Sequence, residues 1–408
     1  MSDAPRLRAI EAVSVEHEGE QYVALRDPAG YTTSVLMLAS ALIEVLALFD
    51  GDHPIVDIQA ELMKRHGELV TREHLEKLIA ALDEHGFLES PAFAARRVSI
   101  DDAFLSAPTR PASHAGGAYA GDPTALRAAM DGFFSSPDGP GAIEATGSGG
   151  GPAVRGLVAP HIDFHRGGPA YAWAYRELAE RGDADLFVIF GTCHAGMRDP
   201  FALTRKDFDT PLGPARADGE FVEALAKRAR QSCFGSEIAH RNEHSIEFQA
   251  VFLQYLYAGR RDIRIVPVLT SFVHEALARR QRPEDDPRVR AFLEALAETV
   301  SASRRKVAFI AGADLAHMGT RFGDPEPISA TELERIGRED RAMLEHVAAG
   351  DADGFFESVR RDDDRRRICG LSPIYTLMRA LGGARGTLRR YGQWPDPEGV
   401  VTFASVVY

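Results

Sequence analysis

Three apolar stretches of this chain end in residues that could do chemistry. LVAP at 157–160 runs into His161, Asp163, His165 and Arg166. LFVIFGTC at 186–193 runs into His194, and KVAFIAGA at 306–313 into Asp314 and His317. A fourth stretch, NEHSIEFQ at 242–249, sets Glu243, His244 and Glu247 in the first turns of a helix, with Asn242 as its N-cap. Neutral imidazoles from separate strand ends suit a divalent transition metal. A histidine flanked by carboxylates suits general base catalysis, because a carboxylate fixes its tautomer and raises its basicity. The chain has only 14 histidines, so three strand ends that each deliver one exceed a random scatter. Single positions have plainer readings. Asp163 and Asp314 could cap turns or helices, and Glu243 and Glu247 could answer a helix dipole. Cys193 and Cys369 read as small packed residues.

These groups meet only if the elements before them lie side by side. VRGLVAP, LFVIFGTC, IRIVPVLT and KVAFIAGA read as buried strands. Helical patterns lie among them: YAWAYRELAERG, GEFVEALAKRARQ, SIEFQAVFLQYLYAG and DPRVRAFLEALAETVSAS. Such alternation predicts an α/β fold, a largely parallel or mixed sheet covered by helices. Ligands in such folds collect outside the carboxyl ends of the strands, where the polar residues fall. Two more helices, ELERIGREDRAMLEHVAAG and SPIYTLMRALGG, precede two strands, TLRRYGQW and VVTFASVVY. Gly139 to Gly151 is a glycine-rich loop, with no Lys-Ser or Lys-Thr to make it a phosphate loop.

Residues 1–95 read as a separate α+β unit. Short β-like runs surround EHEGEQ. Three helical patterns follow: SVLMLASALIEVLALFD, IVDIQAELMKRHG, and TREHLEKLIAALDEHG with Thr71 as N-cap. The layout is that of a winged helix. DNA is an unsuitable partner, because residues 1–95 hold 17 Asp plus Glu against 7 Lys plus Arg, a balance of −10. Residues 96–107 read as a linker from their composition, and 108–408 as the main domain.

The whole chain carries a formal charge of −13 and 45% hydrophobic residues. This excludes generic binding to nucleic acid and to anionic lipid. Three widely spaced cysteines fit neither a disulfide framework nor a paired-cysteine zinc site. The N-terminus lacks a signal-peptide core, and the most apolar run, Val35 to Phe49, is interrupted by Glu44 and too short to span a bilayer. The expected location is the cytoplasm.

An ordered set of landmarks resembles the Memo-like family, which includes component B of the AmmeMemoRadiSam system. They are RPASHAGGAYAGDPTAL, APHID, FGTCHAG, DTPLGPARAD, NEHSIEFQ, IVPVLT, GADLAHMG, CGLSPI and the final VVTFASVVY. The resemblance implies a fold similar to the class III extradiol dioxygenases, an α/β/α sandwich with a metal site. By motif, His161 and His194 correspond to the metal-binding histidines and His244 to the catalytic histidine. Asp314 and His317 lie in the motif that supplies further cleft residues. His317 is thus a third candidate ligand, and Glu243 and Asp314 join His244 as candidate catalytic groups. Iron, copper and zinc are the candidate metals. The chain departs from the pattern where the family places a metal-binding cysteine, for Ala316 stands there. It departs again after APH, where Asp163, His165 and Arg166 form a polar mouth. With Glu247 they are candidate substrate contacts. Residues 48–89 resemble the PqqD-like, peptide-recognising winged helices, which implies a peptide or protein partner for residues 1–95. Two functions stay open: a metal-dependent, dioxygenase-like oxidoreductase, or a non-catalytic, peptide-binding accessory of a radical-SAM-associated modification system.

Overall fold

The computed structural model describes residues 4–17, 19–67, 69–144 and 151–408. Residues 145–150 of the glycine-rich run of 139–151 lie outside them. The chain divides into two compact units, Met1–Ser106 and Ala107–Tyr408.

In the first unit, β1 (Glu11–His17), β2 (Glu20–Arg26) and β3 (Leu36–Ala39) form an antiparallel sheet in that order. The helices are α1 (Ile43–Leu46), α2 (Ile55–His66), α3 (Arg72–Glu84) and α4 (Pro91–Ser106). Ile55, Ile58 and Leu62 of α2 and Leu75, Ile79 and Leu82 of α3 bury one helical face each against Val23 and Leu25 of β2. The Thr71 hydroxyl accepts from the His74 backbone N–H, and Gly67 closes α2 at φ 73°. Two expectations fail here. The helix read over 34–50 survives only at 40–46; Leu36–Ala39 is strand, with Leu36 and Leu38 facing inward and Met37 and Ala39 facing out. That two-residue period matches pairing with β2, which overrides helix propensity. Residues 96–106, read as linker, belong to α4. Arg96, Arg97, Ala103 and Leu105 are good helix formers, and Pro91 and Pro108 lie at and beyond the helix ends.

The second unit contains β4 (Thr109–Arg110), α5 (Pro123–Ser135), β5 (Gly156–Ala159), α6 (Phe164–Arg181), β6 (Leu186–Thr192), β7 (Phe201–Leu203) and β8 (Asp207–Phe208). Next come α7 (Gly219–Ala229), α8 (His244–Tyr257), β9 (Arg264–Thr270), α9 (Val273–Ala278), α10 (Pro287–Ala302), β10 (Val307–Gly312) and β11 (Asp314–Met318). The last are α11 (Ala330–Ala349), α12 (Ala352–Arg360), α13 (Leu371–Ala380), β12 (Thr387–Asp396) and β13 (Gly399–Val407). The sheet runs β11-β13-β5-β10-β6-β9-β7, with β12 on β13. Its middle, β5-β10-β6-β9, is parallel, and antiparallel strands flank it on both sides. The fold is therefore mixed α/β around a mixed sheet.

Alternation along the strands feeds two cores. Val158, Val188, Phe190, Val266 and Phe309 pack with α7, α10, α11 and α13. Leu157, Phe187, Ile189, Ile265 and Ile310 pack with α5, α6 and α8. Both faces of the parallel strands are buried, which explains their nearly unbroken apolar sequences.

The carboxyl ends of β6 and β10 carry Gly191 and Gly312, paired in register. A Cβ on Gly191 would lie 2.5 Å from Ser245 Oγ, and one on Gly312 would lie 2.3 Å from the Ser245 carbonyl. The two glycines make a notch that admits the first turn of α8, with Ser245 Oγ donating to the Thr192 carbonyl at 2.8 Å. Gly312→Ala should force α8 away from the sheet and cost about 2–3 kcal/mol. Urea unfolding measures this, and a variant as stable as the parent would dismiss the notch.

Candidate metal centre

Three strand ends and one helix start meet at the carboxyl edge of the sheet. His161 follows β5 and is buried. Its Nδ1 lies 3.0 Å from the Gly312 carbonyl, its backbone N–H donates to Asp314 Oδ1 at 2.9 Å, and its Nε2 faces Cys369 Sγ at 3.2 Å. His194 follows β6 with 37% of its side chain exposed. Its Nδ1 lies 3.0 and 3.1 Å from the Glu243 carboxylate oxygens. His244 opens α8, with Nδ1 3.4 Å from Glu243 Oε1. The rings gather closely: centroids are 4.8 Å apart for His161 and His194, 5.1 Å for His161 and His244, and 4.6 Å for His194 and His244.

The hydrogen bonds fix the tautomers. A carbonyl and a carboxylate only accept, so Nδ1 of His161 and of His194 each carry a proton there. Both Nε2 atoms then keep their lone pairs. Two groups of potential ligand atoms come within 4.8 Å of one another: His161, His194 and Cys369, and His194, Glu243 and His244. Histidines that ligate metals usually donate their other N–H to a carbonyl or carboxylate, as these two do.

Burial governs the charges. It pulls His161 well below the ordinary imidazole value, helped by His194 and His244. It takes His244 down to about 3. Burial also pushes the Asp314 carboxyl up to about 7 and raises the Cys369 thiol well above its usual value. His194 differs. Its packed surroundings oppose the cation, but the Glu243 carboxylate outweighs them and the imidazole is raised. Burial likewise opposes the Glu243 charge, yet His194 holds that carboxylate well below its usual range.

Cys369 was not foreseen as a site residue; RICGLSP gave no spacing signal. A tightly held loop delivers it. Asp363, Asp364 and Arg367 have φ of 51°, 52° and 52°, a left-handed backbone that costs non-glycine residues roughly 1–3 kcal/mol each. Three successive arginines anchor this loop. Arg365 holds Glu332 and Glu339 at 3.1 and 2.7 Å, Arg366 pairs with buried Asp340, and Arg367 holds Asp324 at 2.5 Å. A Cβ on Gly370 would lie 2.4 Å from the Asp314 carbonyl, so only glycine lets the loop close on β11.

Other expected site residues lie elsewhere. Glu247 is not a cleft residue. It is fully buried, paired with Arg110, bonded by the Tyr119 hydroxyl and reached by the His114 N–H at 3.1 Å. Its position four residues after Glu243 turns it toward the interior. Arg110 also donates to the His240 and Glu243 carbonyls at 2.8 and 2.7 Å, and so holds the start of α8. His317 joins neither ligand group. Its Nδ1 faces the Leu315 carbonyl at 3.0 Å and its ring packs on Phe322, because β11 has left the parallel strands for β13. Asp163 precedes α6, 3.5 Å from Arg166. Arg166 donates to His165, whose ring meets the edge of Trp394. Of the three, Arg166 lines a separate surface pocket.

Residues 110–408 match the family of Memo-like proteins. The chain belongs to the Memo-like family. A MEMO1 family protein of Aquifex aeolicus is 27% identical over 395 residues, 96% of each chain. Another, of Methanopyrus kandleri, is 31% identical over 304 residues, 72% of this chain and 96% of that one. One from Thermus thermophilus is 27% identical over 332 residues, 81% of this chain and 90% of that one. The Aquifex alignment is too long to leave out the first unit of this Memo-like protein. No helix among the described residues is long and apolar enough to cross a membrane.

His240, just before α8, is buried, with Nε2 3.0 Å from the Ala202 carbonyl; burial takes its pKa from 6.5 to about 4. The unfolded chain therefore takes up this proton first. Stability should fall as pH drops below about 6.5 and level off below about 4, a loss of about 3 kcal/mol from this residue alone. His240→Gln keeps a donor to Ala202 and should flatten that part of the urea-midpoint profile. An unchanged profile would mean that His240 carries no such load.

Proposed function

We propose that the cleft holds a divalent or redox-active metal ion, iron, copper or zinc, and that the protein is a metal-dependent oxidoreductase. One observation carries this. His161, His194 and Cys369 bring potential ligand atoms within 4.8 Å of one another, while the Nδ1 atoms of both histidines are engaged by a carbonyl and a carboxylate. The set fits the group. Two imidazoles and a thiolate satisfy a borderline or soft ion, and three ligands leave a position open for substrate. Cys369 supplies the sulfur that Ala316 lacks. Its buried thiol is neutral by itself and would surrender its proton to a cation.

When bound, the ion supplies Lewis acidity or electron exchange. The other residues handle protons and charge. His244, kept neutral by burial, lines the cleft wall as a hydrogen-bonding group. Asp314, near 7, exchanges one beside His161. Glu243 balances the cationic centre. Likeness of the family to the class III extradiol dioxygenases, with their α/β/α architecture, supports the oxidoreductase class.

A second reading, a peptide-binding accessory, rests on the first unit. Its β3 is an edge strand with Met37 43% exposed, and Val35 and Ile43 exposed beside it. Unpaired strand edges take up extended peptides by backbone pairing. The balance of −10 would select a basic one. This use fits the PqqD-like winged-helix reading of residues 1–95.

Elemental analysis of tag-free protein tests the metal. About one iron, copper or zinc per chain is expected, lost in His161→Ala/His194→Ala. Cys369→Ser should keep metal more weakly and lose sulfur-to-metal charge-transfer absorption after cobalt substitution. Metal retained by the double-histidine variant would move the site elsewhere. For the peptide, anisotropy of a labelled basic peptide with alternating apolar residues should show binding that Met37→Glu weakens about tenfold. Equal binding by both proteins would remove β3 as the platform.

A further inference from the structure

Arg166, from the polar stretch IDFHRGG, lines a pocket that the metal reading does not use. It has a volume of about 400 Å³, between the first turns of α6, the outer face of α11 and strand β12. That is the size of a small organic ligand. Three guanidiniums line it from three elements: Arg166, Arg341 and Arg390. In a chain of net charge −13, such a gathering of cations is a local reversal of sign.

The three arginines are weakly committed. Arg341 donates to the Gly337 carbonyl of its own helix at 3.1 Å and lies 4.4 Å from the centre of the Tyr391 ring. Arg166 has Asp163 at 3.5 Å and donates to His165 at 3.2 Å. Arg390 holds Asp138 at 2.5 Å, but the Asp138 side chain is 69% exposed. Exposed pairs of this kind contribute about 0–1 kcal/mol and yield readily to a competing anion. Asp138 thus occupies the seat that a ligand anion would take.

The rim adds an aromatic surface. Trp394 is 38% exposed, a large indole left partly in water with His165 against its edge. An exposed indole beside guanidinium forks suits a planar ring that carries an anionic group. We propose that this pocket binds a small anion bearing a planar ring, of the size of a nucleoside monophosphate, with the anion on Arg341 and Arg390 and the ring on Trp394.

The chain has two tryptophans, so its own fluorescence reports binding. Full-length protein is titrated with adenosine monophosphate, adenosine and inorganic phosphate. EDTA is present so that no metal can hold the phosphate. Adenosine monophosphate should quench saturably and bind about tenfold or more tighter than either fragment. Arg341→Gln/Arg390→Gln should weaken it about thirtyfold. Trp394→Phe should remove the quench and weaken binding measured by calorimetry. Three results would overturn the proposal: no saturable binding, affinity no better than that of the fragments, or affinity unchanged in the double-arginine variant. Benzoate and adenosine monophosphate binding alike would place the ring and charge, rather than the phosphate, as the recognised features.

Discussion

The cleft depends on how closely the first turn of α8 approaches the sheet. Van der Waals contact sets that distance, and two paired glycines lower it. Glu243 and His244 can meet His194 and His161 only because Gly191 and Gly312 present no side chains to Ser245. Every electrostatic feature of the site follows from this approach. A carboxylate displaced by one side-chain radius would no longer fix the His194 tautomer. The lone pair of Nε2 would then lose its direction.

A second constraint lies behind the first. Arg110 and Glu247 are both fully buried, and burying such a pair is costly unless every polar atom is met. The Arg110 guanidinium is spread over Glu247 and the carbonyls of Pro111, His240 and Glu243. The pair therefore serves geometry more than stability. It pins the segment from His240 to Glu243 from behind, while the glycines receive the first turn of α8 in front. The same division appears around Cys369, where arginine anchors hold a strained loop against β11. Rigid backing and a close front together give the convergence of these side chains.

Much of this was legible in sequence. The four buried strands announced themselves through unbroken apolar runs, and the histidines after them followed from the rule that strand ends face the crevice. APHID, GTCH and NEHS yielded His161, His194, Glu243 and His244 for that reason. What escaped detection was non-local. Cys369 reaches His161 through a loop whose left-handed residues carry no glycine signal. Glu247 looked like a cleft acid because helical spacing gives a face but not the direction that face takes. His317 joins neither ligand group because β11 pairs with β13 from Asp314 onward, and no local pattern marks that departure from the parallel strands. In the first unit, Leu36 to Ala39 lost helical character to a partner strand that only tertiary structure reveals.

The position of β5 has a consequence in time. This short strand carries His161, yet its sheet neighbours are β10 and β13, both far downstream in the chain. Pairings over such separations close slowly, because the intervening loop entropy must be met before any contact repays it. Until then LVAP is an apolar edge with both sides vacant, the kind of segment on which nascent chains aggregate. The residue on which the cleft centres thus belongs to the strand that waits longest for its partners. The site is complete only when these distant segments have paired.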